Sequence, residues 1–148
     1  MNGPTEPATG EGAWLERAFR VRAYECDPYD HVNHANYLRY MQEAAFDASA
    51  AVGYDAARYA AMGRQWLIRE TDITYLRPLV YGDTVIVKTW VGDFRRVRSR
   101  RMYELRLASS GDMVATASTE WVYLNTETLR PATIPPEMVA AFRHPDLT

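Results

Sequence analysis

Cysteine is nearly absent from this sequence. Its 148 residues include one cysteine, Cys26, so no disulfide can form within the chain and a zinc site built on thiolates is not expected. The sequence also contains no Gly-rich phosphate loop, no His-Glu-x-x-His and no Gly-x-Ser-x-Gly. The signatures of a nucleotide-binding loop, a zinc protease and an α/β-hydrolase are therefore missing. We expect folding to depend on packing and the chemistry to need no metal or organic cofactor.

A large net charge and a long apolar run are missing as well. Lys and Arg number 17 against 19 Asp and Glu, a formal charge of −2, so nucleic acid is not an expected partner. No segment approaches the ~20 apolar residues of a membrane span. Residues 1–12 show no basic start followed by an apolar stretch, so no secretory signal is expected. These absences predict a cytoplasmic protein without a membrane partner.

The composition supports one folded domain behind a short tail. Hydrophobic residues make up 47% of the chain, with 4 Trp, 10 Tyr and 4 Phe, which is ample for one core at this length. Residues 1–13 are rich in Gly, Pro, Thr and Glu, and we predict a disordered tail there. Residues 14–148 are predicted to form a single domain.

Hydrophobic periodicity predicts a strand, a long helix, a short helix, four strands and a last short helix. The predicted ranges are 17–25, 36–52, 56–62, 66–76, 83–94, 97–108, 113–124 and 136–142. One long helix followed by consecutive strands indicates an α+β fold in which an antiparallel sheet covers the helix. Trp90 and Trp121 lie on strands that carry apolar residues on both faces, which predicts that a second subunit covers part of the sheet.

The segment 24–37 concentrates polar chemistry between the first strand and the long helix. It contains three carboxylates, two of the three histidines and two asparagines. One interpretation is a polar connection, in which Asp27-Pro28 makes a turn and Asn33 or Asn36 caps the helix. The other interpretation is an active site, because carboxylates and histidines beside a helix N-terminus can carry acid-base or nucleophilic chemistry.

The order and spacing of several short motifs resemble one known family. Glu25-Cys26-Asp27-Pro28, then 31–38 with Tyr40 following, are similar to the signature of the hotdog-fold acyl-CoA thioesterases of the 4-hydroxybenzoyl-CoA thioesterase type. The resemblance continues in 73–78, in 82–85 and in Arg95-Arg96, and it spans residues 17–125. It implies a hotdog fold, an antiparallel sheet wrapped around one long central helix, and hydrolysis of acyl thioesters.

The resemblance assigns roles to residues of the polar segment. Asp27 falls on the family's catalytic carboxylate, and His34 falls where the family's helix begins and its main-chain amide polarises the thioester carbonyl. The first N–H groups of a helix lack intrahelical partners, so they suit an oxygen that gains charge. His31, Asn33 and Tyr37 are implied to contact the substrate. Asp27 as nucleophile and Asp27 as general base both stay open, and the motif favours aliphatic or mixed acyl groups.

Five arginines fall within the seven residues 95–101. On a strand, Arg98 and Arg100 share one face while Ser99 and Arg101 share the other, so the run cannot form one patch. One interpretation is a solvated edge that discourages strand addition. The other is that Arg95 and Arg96, with Arg98, bind phosphates of coenzyme A or an acidic acyl carrier protein.

Three alternatives stay open beside the main hypothesis. Glu43 and Asp47, four residues apart on the predicted helix, could supply the carboxylate, although their spacing is typical of an exposed pair. A hotdog hydratase or dehydratase is similar to a pattern with four residues between Asp and His, whereas three separate Asp27 from His31. A non-catalytic acyl-binding hotdog protein is the third. We expect a homodimer, and possible pairing of two dimers, in each case.

Overall fold

The chain folds in the predicted order of elements. The computed structural model describes residues 13–143. They form β1 (Trp14–Arg20), a 3-10 turn (Ala23–Glu25), α1 (His34–Ala51), α2 (Ala56–Met62), β2 (Arg64–Tyr75), β3 (Thr84–Phe94), β4 (Arg98–Leu107), β5 (Met113–Asn125) and α3 (Pro136–Arg143). Each predicted helix and strand is present, most with ends within two residues of the prediction.

The five strands form one antiparallel sheet in the order β1-β3-β4-β5-β2. Consecutive strands β3, β4 and β5 are neighbours, whereas β2 follows the helices and pairs with β5 alone. The edges of the sheet are therefore β1 and β2. Since β2 is 12 residues long and most of it is exposed, it presents an unusually long free edge for a strand.

Helix α1 lies across one face of this sheet because its apolar residues recur every three or four positions. Its buried residues are Asn36, Tyr37, Tyr40, Met41, Ala44, Ala45 and Ala48. Small alanine side chains allow the helix backbone to approach the sheet closely, and they favour the helix themselves. Val85, Val87 and Leu105 complete the main core beneath it, and all three are fully buried.

Capping residues and glycines in the sequence account for the end of α1 and for both ends of α2. Val52 caps the end of α1, and Gly53 comes next with a φ of +97°. Asp55 accepts a hydrogen bond from the Arg58 amide at the start of α2, and Gly63 ends that helix with a φ of +65°. Glycine adopts this left-handed conformation without the steric cost that a Cβ would bring.

The predicted first strand is wrong in its limits. Alternation predicts a strand over 17–25, but β1 ends at Arg20 and residues Ala23–Glu25 form a 3-10 turn. The Arg22 amide donates to the Glu25 carboxylate at 2.8 Å, and the Glu25 amide donates to the Arg22 carbonyl at 3.0 Å. These local bonds close a turn that alternation alone cannot predict.

The predicted tail, residues 1–13, lies outside the described residues except for Ala13. A single domain over 14–148 stays a prediction for the same reason. Within 13–143, no helix is long and apolar enough to cross a membrane.

Candidate active site

The loop between β1 and α1 folds back on itself and places Asp27 opposite His31. Cys26 and Val32 form an antiparallel bridge, and the Asp27 amide donates to the His31 carbonyl at 2.8 Å. The Val32 amide donates to the Leu79 carbonyl at 2.9 Å, which ties the loop to the segment before β3. Asp27, seven residues before the first residue of α1, is therefore held in a loop that folds back towards the start of this helix.

The two oxygens of the Asp27 carboxylate differ in their surroundings. Oδ1 accepts hydrogen bonds from the amides of Tyr29 at 2.9 Å and His31 at 3.4 Å. Oδ2 accepts none from the residues that the structure describes. The loop thus fixes the carboxylate through one oxygen and leaves the other available to a substrate or a water molecule.

The first turn of α1 offers a free hydrogen-bond donor. Asn33 is the N-cap, and its Oδ1 accepts from the Ala35 amide at 2.9 Å. His34 is the first helical residue, and within 13–143 its main-chain N–H has no hydrogen bond. An unpaired N–H at the positive end of a helix dipole is suited to an oxygen that becomes negative during a reaction.

Glu25 holds this loop against α1, a role that the sequence motifs do not indicate. Its main-chain oxygen accepts from the Asn33 amide at 2.8 Å and from Asn36 Nδ2 at 2.9 Å. Its carboxylate accepts from the Tyr40 hydroxyl at 2.9 Å. Burial, together with this bond to a carboxylate, raises the pKa of Tyr40. A tyrosine on the buried face of a helix needs a hydrogen-bond acceptor for its hydroxyl. The buried position of Tyr40 is therefore the sequence feature that could have pointed to a partner such as Glu25.

The predicted substrate residues of the segment occupy different depths. His31 and the side chains of Asn33 and His34 are exposed, so they border the site. Tyr37 is only 4% exposed, and its ring packs edge-on against Tyr75 with the centroids 5.0 Å apart. Burial raises the pKa of Tyr37. In this chain Tyr37 is a core residue beneath the site.

The arginine run divides as the alternation predicts. Ser99 and Arg101 are buried on the helix side of the sheet, whereas Arg98 and Arg100 bond to Glu120 at 3.2 and 2.9 Å. Arg69 reaches the same carboxylate at 3.0 Å. Burial of Glu120 opposes its ionisation, but the Arg69 hydrogen bond and the three positive charges lower its pKa.

Arg95 and Arg96 lie in the turn between β3 and β4, as predicted. Arg95 pairs with Asp93 at 3.3 Å, and Arg96 Nε donates to the Thr133 hydroxyl at 3.4 Å. Both side chains are exposed. The loop of Asp27 adjoins the other end of β3, where the Val21 amide bonds to the Asp83 carbonyl. At ~3.4 Å per residue, the 11 residues of β3 separate the two regions by roughly 30–35 Å.

The other candidate groups have simpler surroundings. Glu43 is exposed on α1, and Asp47 pairs with Arg17 at 3.1 Å. Burial, followed by nearby carboxylates, raises the pKa of Cys26, which disfavours a thiolate. Within 13–143, no cluster of three or more His, Cys, Asp or Glu could hold a metal ion.

Comparison with known proteins connects this geometry to a family. The family model of the thioesterase-like superfamily matches residues 21–142, which include the Asp27 loop, α1 and the whole of β2 to β5. The chain belongs to this superfamily.

The relatives of the chain include hydrolases named for acyl carrier protein thioesters. It is 28% identical over 133 residues to a chloroplastic dodecanoyl-[acyl-carrier-protein] hydrolase of Umbellularia californica, covering 86% of this chain and 35% of that protein. It is 27% identical over 137 residues to a chloroplastic acyl-acyl carrier protein thioesterase, ATL2, of Arabidopsis thaliana, covering 93% and 72%. The chain thus spans about a third of the length of the first relative.

A solved structure confirms the fold. The DHNA-CoA thioesterase of Staphylococcus aureus superposes with a TM-score of 0.80 at 25% identity, covering 88% of this chain and 89% of that one. The predicted hotdog fold is therefore confirmed, with the five-stranded antiparallel sheet packed over α1.

Replacing Tyr40 with Phe tests whether Glu25 holds the loop on α1. The variant keeps the ring stacked on Phe19, 5.3 Å away, and removes the donor to a carboxylate. We expect the free energy of unfolding in urea to fall by about 1.5–3 kcal/mol with an unchanged m value. Tyr24→Phe is the control, because the Tyr24 hydroxyl is exposed and should change stability by less than ~0.5 kcal/mol. Equal effects of the two variants would contradict this role of Glu25.

Proposed function

We propose that this protein hydrolyses acyl thioesters to a free acid and a thiol, with Asp27 as the catalytic carboxylate. The observation that carries the proposal is the pairing of two unengaged groups. Oδ2 of Asp27 and the main-chain N–H of His34 both lack partners among the described residues, and the loop holds them at the start of one helix. A carboxylate and an oxyanion donor in one site can together carry out acyl transfer.

The chemistry of the proposed site has two routes. In both, the thioester carbonyl oxygen accepts a hydrogen bond from the His34 N–H as negative charge develops on it. In one route Asp27 attacks the carbonyl carbon, the thiolate leaves, and water hydrolyses the mixed anhydride. In the other route Asp27 removes a proton from a water molecule, and this water attacks the carbonyl carbon. The C–S bond then breaks, and the departing thiolate takes up the proton from Asp27.

The carrier of the acyl group is proposed to be coenzyme A or an acyl carrier protein. The names of the relatives support both, since two act on acyl carrier protein and one on an acyl-CoA. Arg95 and Arg96 are the better candidates for binding a carrier's phosphates, because their side chains are exposed. Arg98 is a weaker candidate, since Glu120 already engages it. The dodecanoyl relative supports an aliphatic acyl group, and a cytoplasmic location belongs to the same proposal.

We infer that a homodimer completes the site. Asp27 and the Arg95-Arg96 turn lie at opposite ends of β3, so one chain cannot bring both to one thioester. Two-fold antiparallel pairing of β2 edges would place each end of one sheet beside the opposite end of the other. The exposed apolar residues Leu67 and Ile68 on β2 support this interface. Pairing of two such dimers stays a further prediction.

The hydratase and the non-catalytic protein predict different products. A hydratase would change the acyl chain and leave the thioester intact, and a binding protein would leave both intact. The exposed His31 side chain has no bond to Asp27 through its ring among the described residues, so nothing in the site favours the hydratase. Release of free thiol distinguishes the thioesterase from both alternatives, and a change in the acyl chain distinguishes the hydratase from the binding protein.

Asp27→Asn should lower kcat at least ~10²-fold, the scale of one essential acid-base group. Asn retains an oxygen that can accept from the Tyr29 and His31 amides, so the loop should keep its fold. Asp30→Asn is the matched control: Asp30 lies in the same loop with a φ of +64°, which Asn tolerates. Near-normal turnover of a folded Asp27→Asn variant would refute the assignment and redirect attention to Glu43 or Asp47.

Leu67→Lys should weaken the dimer. Sedimentation of the wild type is expected to give about twice the 16.9 kDa chain mass, and the variant should move towards the single chain and lose activity with it. Leu129→Lys is the control, because Leu129 is also exposed, at 61% against 56% for Leu67, but lies outside β2. A stable and fully active 16.9 kDa wild type would contradict the shared site.

Neutralising Arg95 and Arg96 together to Ala should raise KM about tenfold or more and leave kcat nearly unchanged. Contacts to a carrier's phosphates are equal in the ground and transition states, so they act on KM. The wild-type KM should also rise with salt, and that of the double variant should rise less. The control is the double variant Arg17→Ala with Arg20→Ala, which removes the same amount of charge from the edge strand β1. A lower kcat with an unchanged KM would exclude phosphate binding.

A further inference from the structure

A cavity of about 580 Å³ lies at the other end of α1 from Asp27. It is bounded by the last turns of α1, by α2 and α3, and by the helix side of the sheet. Its walls are largely aromatic and aliphatic, and they include Tyr59, Trp66, Phe94, Trp121 and Phe142. This volume and lining are typical of a site for a small organic ligand.

One charged side chain lies deep in the wall of this cavity. Arg101 on β4 lines it and is only 5% exposed. Among the described residues, its guanidinium makes one hydrogen bond, from Nη1 to the Thr89 hydroxyl at 3.2 Å. It also lies over the Phe142 ring, 5.7 Å from the centroid. No carboxylate within 13–143 pairs with it, although a guanidinium has five N–H donors.

The other arginines of β4 have carboxylate partners, which Arg101 lacks among the described residues. Arg98 and Arg100 share Glu120, and Arg106 pairs with Glu104 at 3.3 Å. All three are more exposed than Arg101, so they need a counter-charge less. Burial lowers the pKa of Arg101, which expresses the cost of holding this charge away from water. A buried charge is normally paired, and an unpaired one is strongly destabilising.

The remaining polar groups of the cavity do not supply the missing charge. Ser49 Oγ lies 2.9 Å from the Tyr59 hydroxyl and donates to the Tyr54 carbonyl at 2.6 Å. The Trp66 indole N–H donates to the Tyr59 hydroxyl at 2.9 Å. These three groups satisfy one another and are neutral. Two carboxylates also line the cavity, but Asp47 pairs with Arg17 and Asp55 accepts from the Arg58 amide. The cavity therefore combines apolar walls with a buried positive charge, Arg101, that has no carboxylate partner among the described residues; Arg64, which also lines the cavity, is less buried.

We propose that this cavity binds an amphipathic carboxylate, with the carboxylate on the guanidinium of Arg101 and the apolar chain along the aromatic walls. A carboxylate matches the planar fork of arginine with two parallel hydrogen bonds. The site is distinct from the Asp27 loop, so binding does not depend on thioester hydrolysis. Only one part rests on the proposed function: the free acid that hydrolysis releases belongs to this class of ligand.

Calorimetric titration of the full chain with decanoate and with decan-1-ol tests the proposal. Decanoate should bind the wild type, and Arg101→Met should weaken it at least ~10-fold because the charge-assisted pair is lost. Decan-1-ol lacks the charge and should bind both proteins alike. Without ligand, Arg101→Met should melt at or above the wild-type temperature, since a buried unpaired charge is removed. Arg106→Met, an exposed arginine on the same strand, should change neither titration.

Two further variants keep the result decisive. Ala50→Trp narrows the apolar part of the cavity and should weaken both probes, which supplies a test if Arg101→Met does not fold. Asp146→Asn asks whether the chain's own carboxylate, outside the described residues, is the occupant. Tighter decanoate binding by Asp146→Asn would overturn the proposal. So would equal decanoate affinity of wild type and Arg101→Met, or a lower melting temperature of Arg101→Met with unchanged decanoate affinity. None of these outcomes depends on thiol release.

Discussion

The attachment of the polar loop to the start of α1 is the interaction on which the site depends. Glu25 accepts three hydrogen bonds from α1 and its N-cap: its carbonyl accepts from the Asn33 amide and the Asn36 side chain, and its carboxylate accepts from the Tyr40 hydroxyl. These bonds join a residue before Asp27 to the first turns of the helix. The helix in turn is fixed by its small apolar face against the sheet. The position of the Asp27 carboxylate relative to the His34 N–H follows from both.

The second constraint is the length of the sheet. The antiparallel strands place the Asp27 loop at one end and the Arg95-Arg96 turn at the other, and roughly 30–35 Å of β3 separates them. In the proposed dimer, pairing of the long free edge at β2 with that of a second copy would resolve this separation. The same edge explains why apolar residues such as Leu67 stay exposed in the single chain.

Much of the fold could be predicted from periodicity, because alternation and the three-to-four repeat report directly which face is buried. Gly63 and Asp55 marked α2 through local backbone chemistry, and the faces of 95–101 followed from the period of two. The end of β1 could not be predicted, because the bond between Arg22 and the Glu25 carboxylate replaces the expected strand. Alternation contains no information about a side chain that bonds its own backbone.

The site was predictable in part. Motif order located the Asp27 loop, but it does not report how deeply each residue of the segment is buried, as Tyr37 illustrates. The sequence does not single out Glu25 or Arg101, and the reason is the same for both. Glu25 accepts a hydrogen bond from Tyr40, 15 residues away, and Arg101 has no carboxylate partner within 13–143. Both features depend on which residues the fold brings together, and a sequence alone does not show this.

The most direct measurement is free-thiol release by the wild-type protein from a panel of acyl-CoA and acyl carrier protein thioesters of different chain lengths, with the free acid quantified in parallel. We expect equal amounts of thiol and free acid for at least one aliphatic thioester. The rate of hydrolysis should be proportional to the enzyme concentration and well above the uncatalysed rate. An intact thioester across the whole panel, or an altered acyl chain still attached to its carrier, would contradict it.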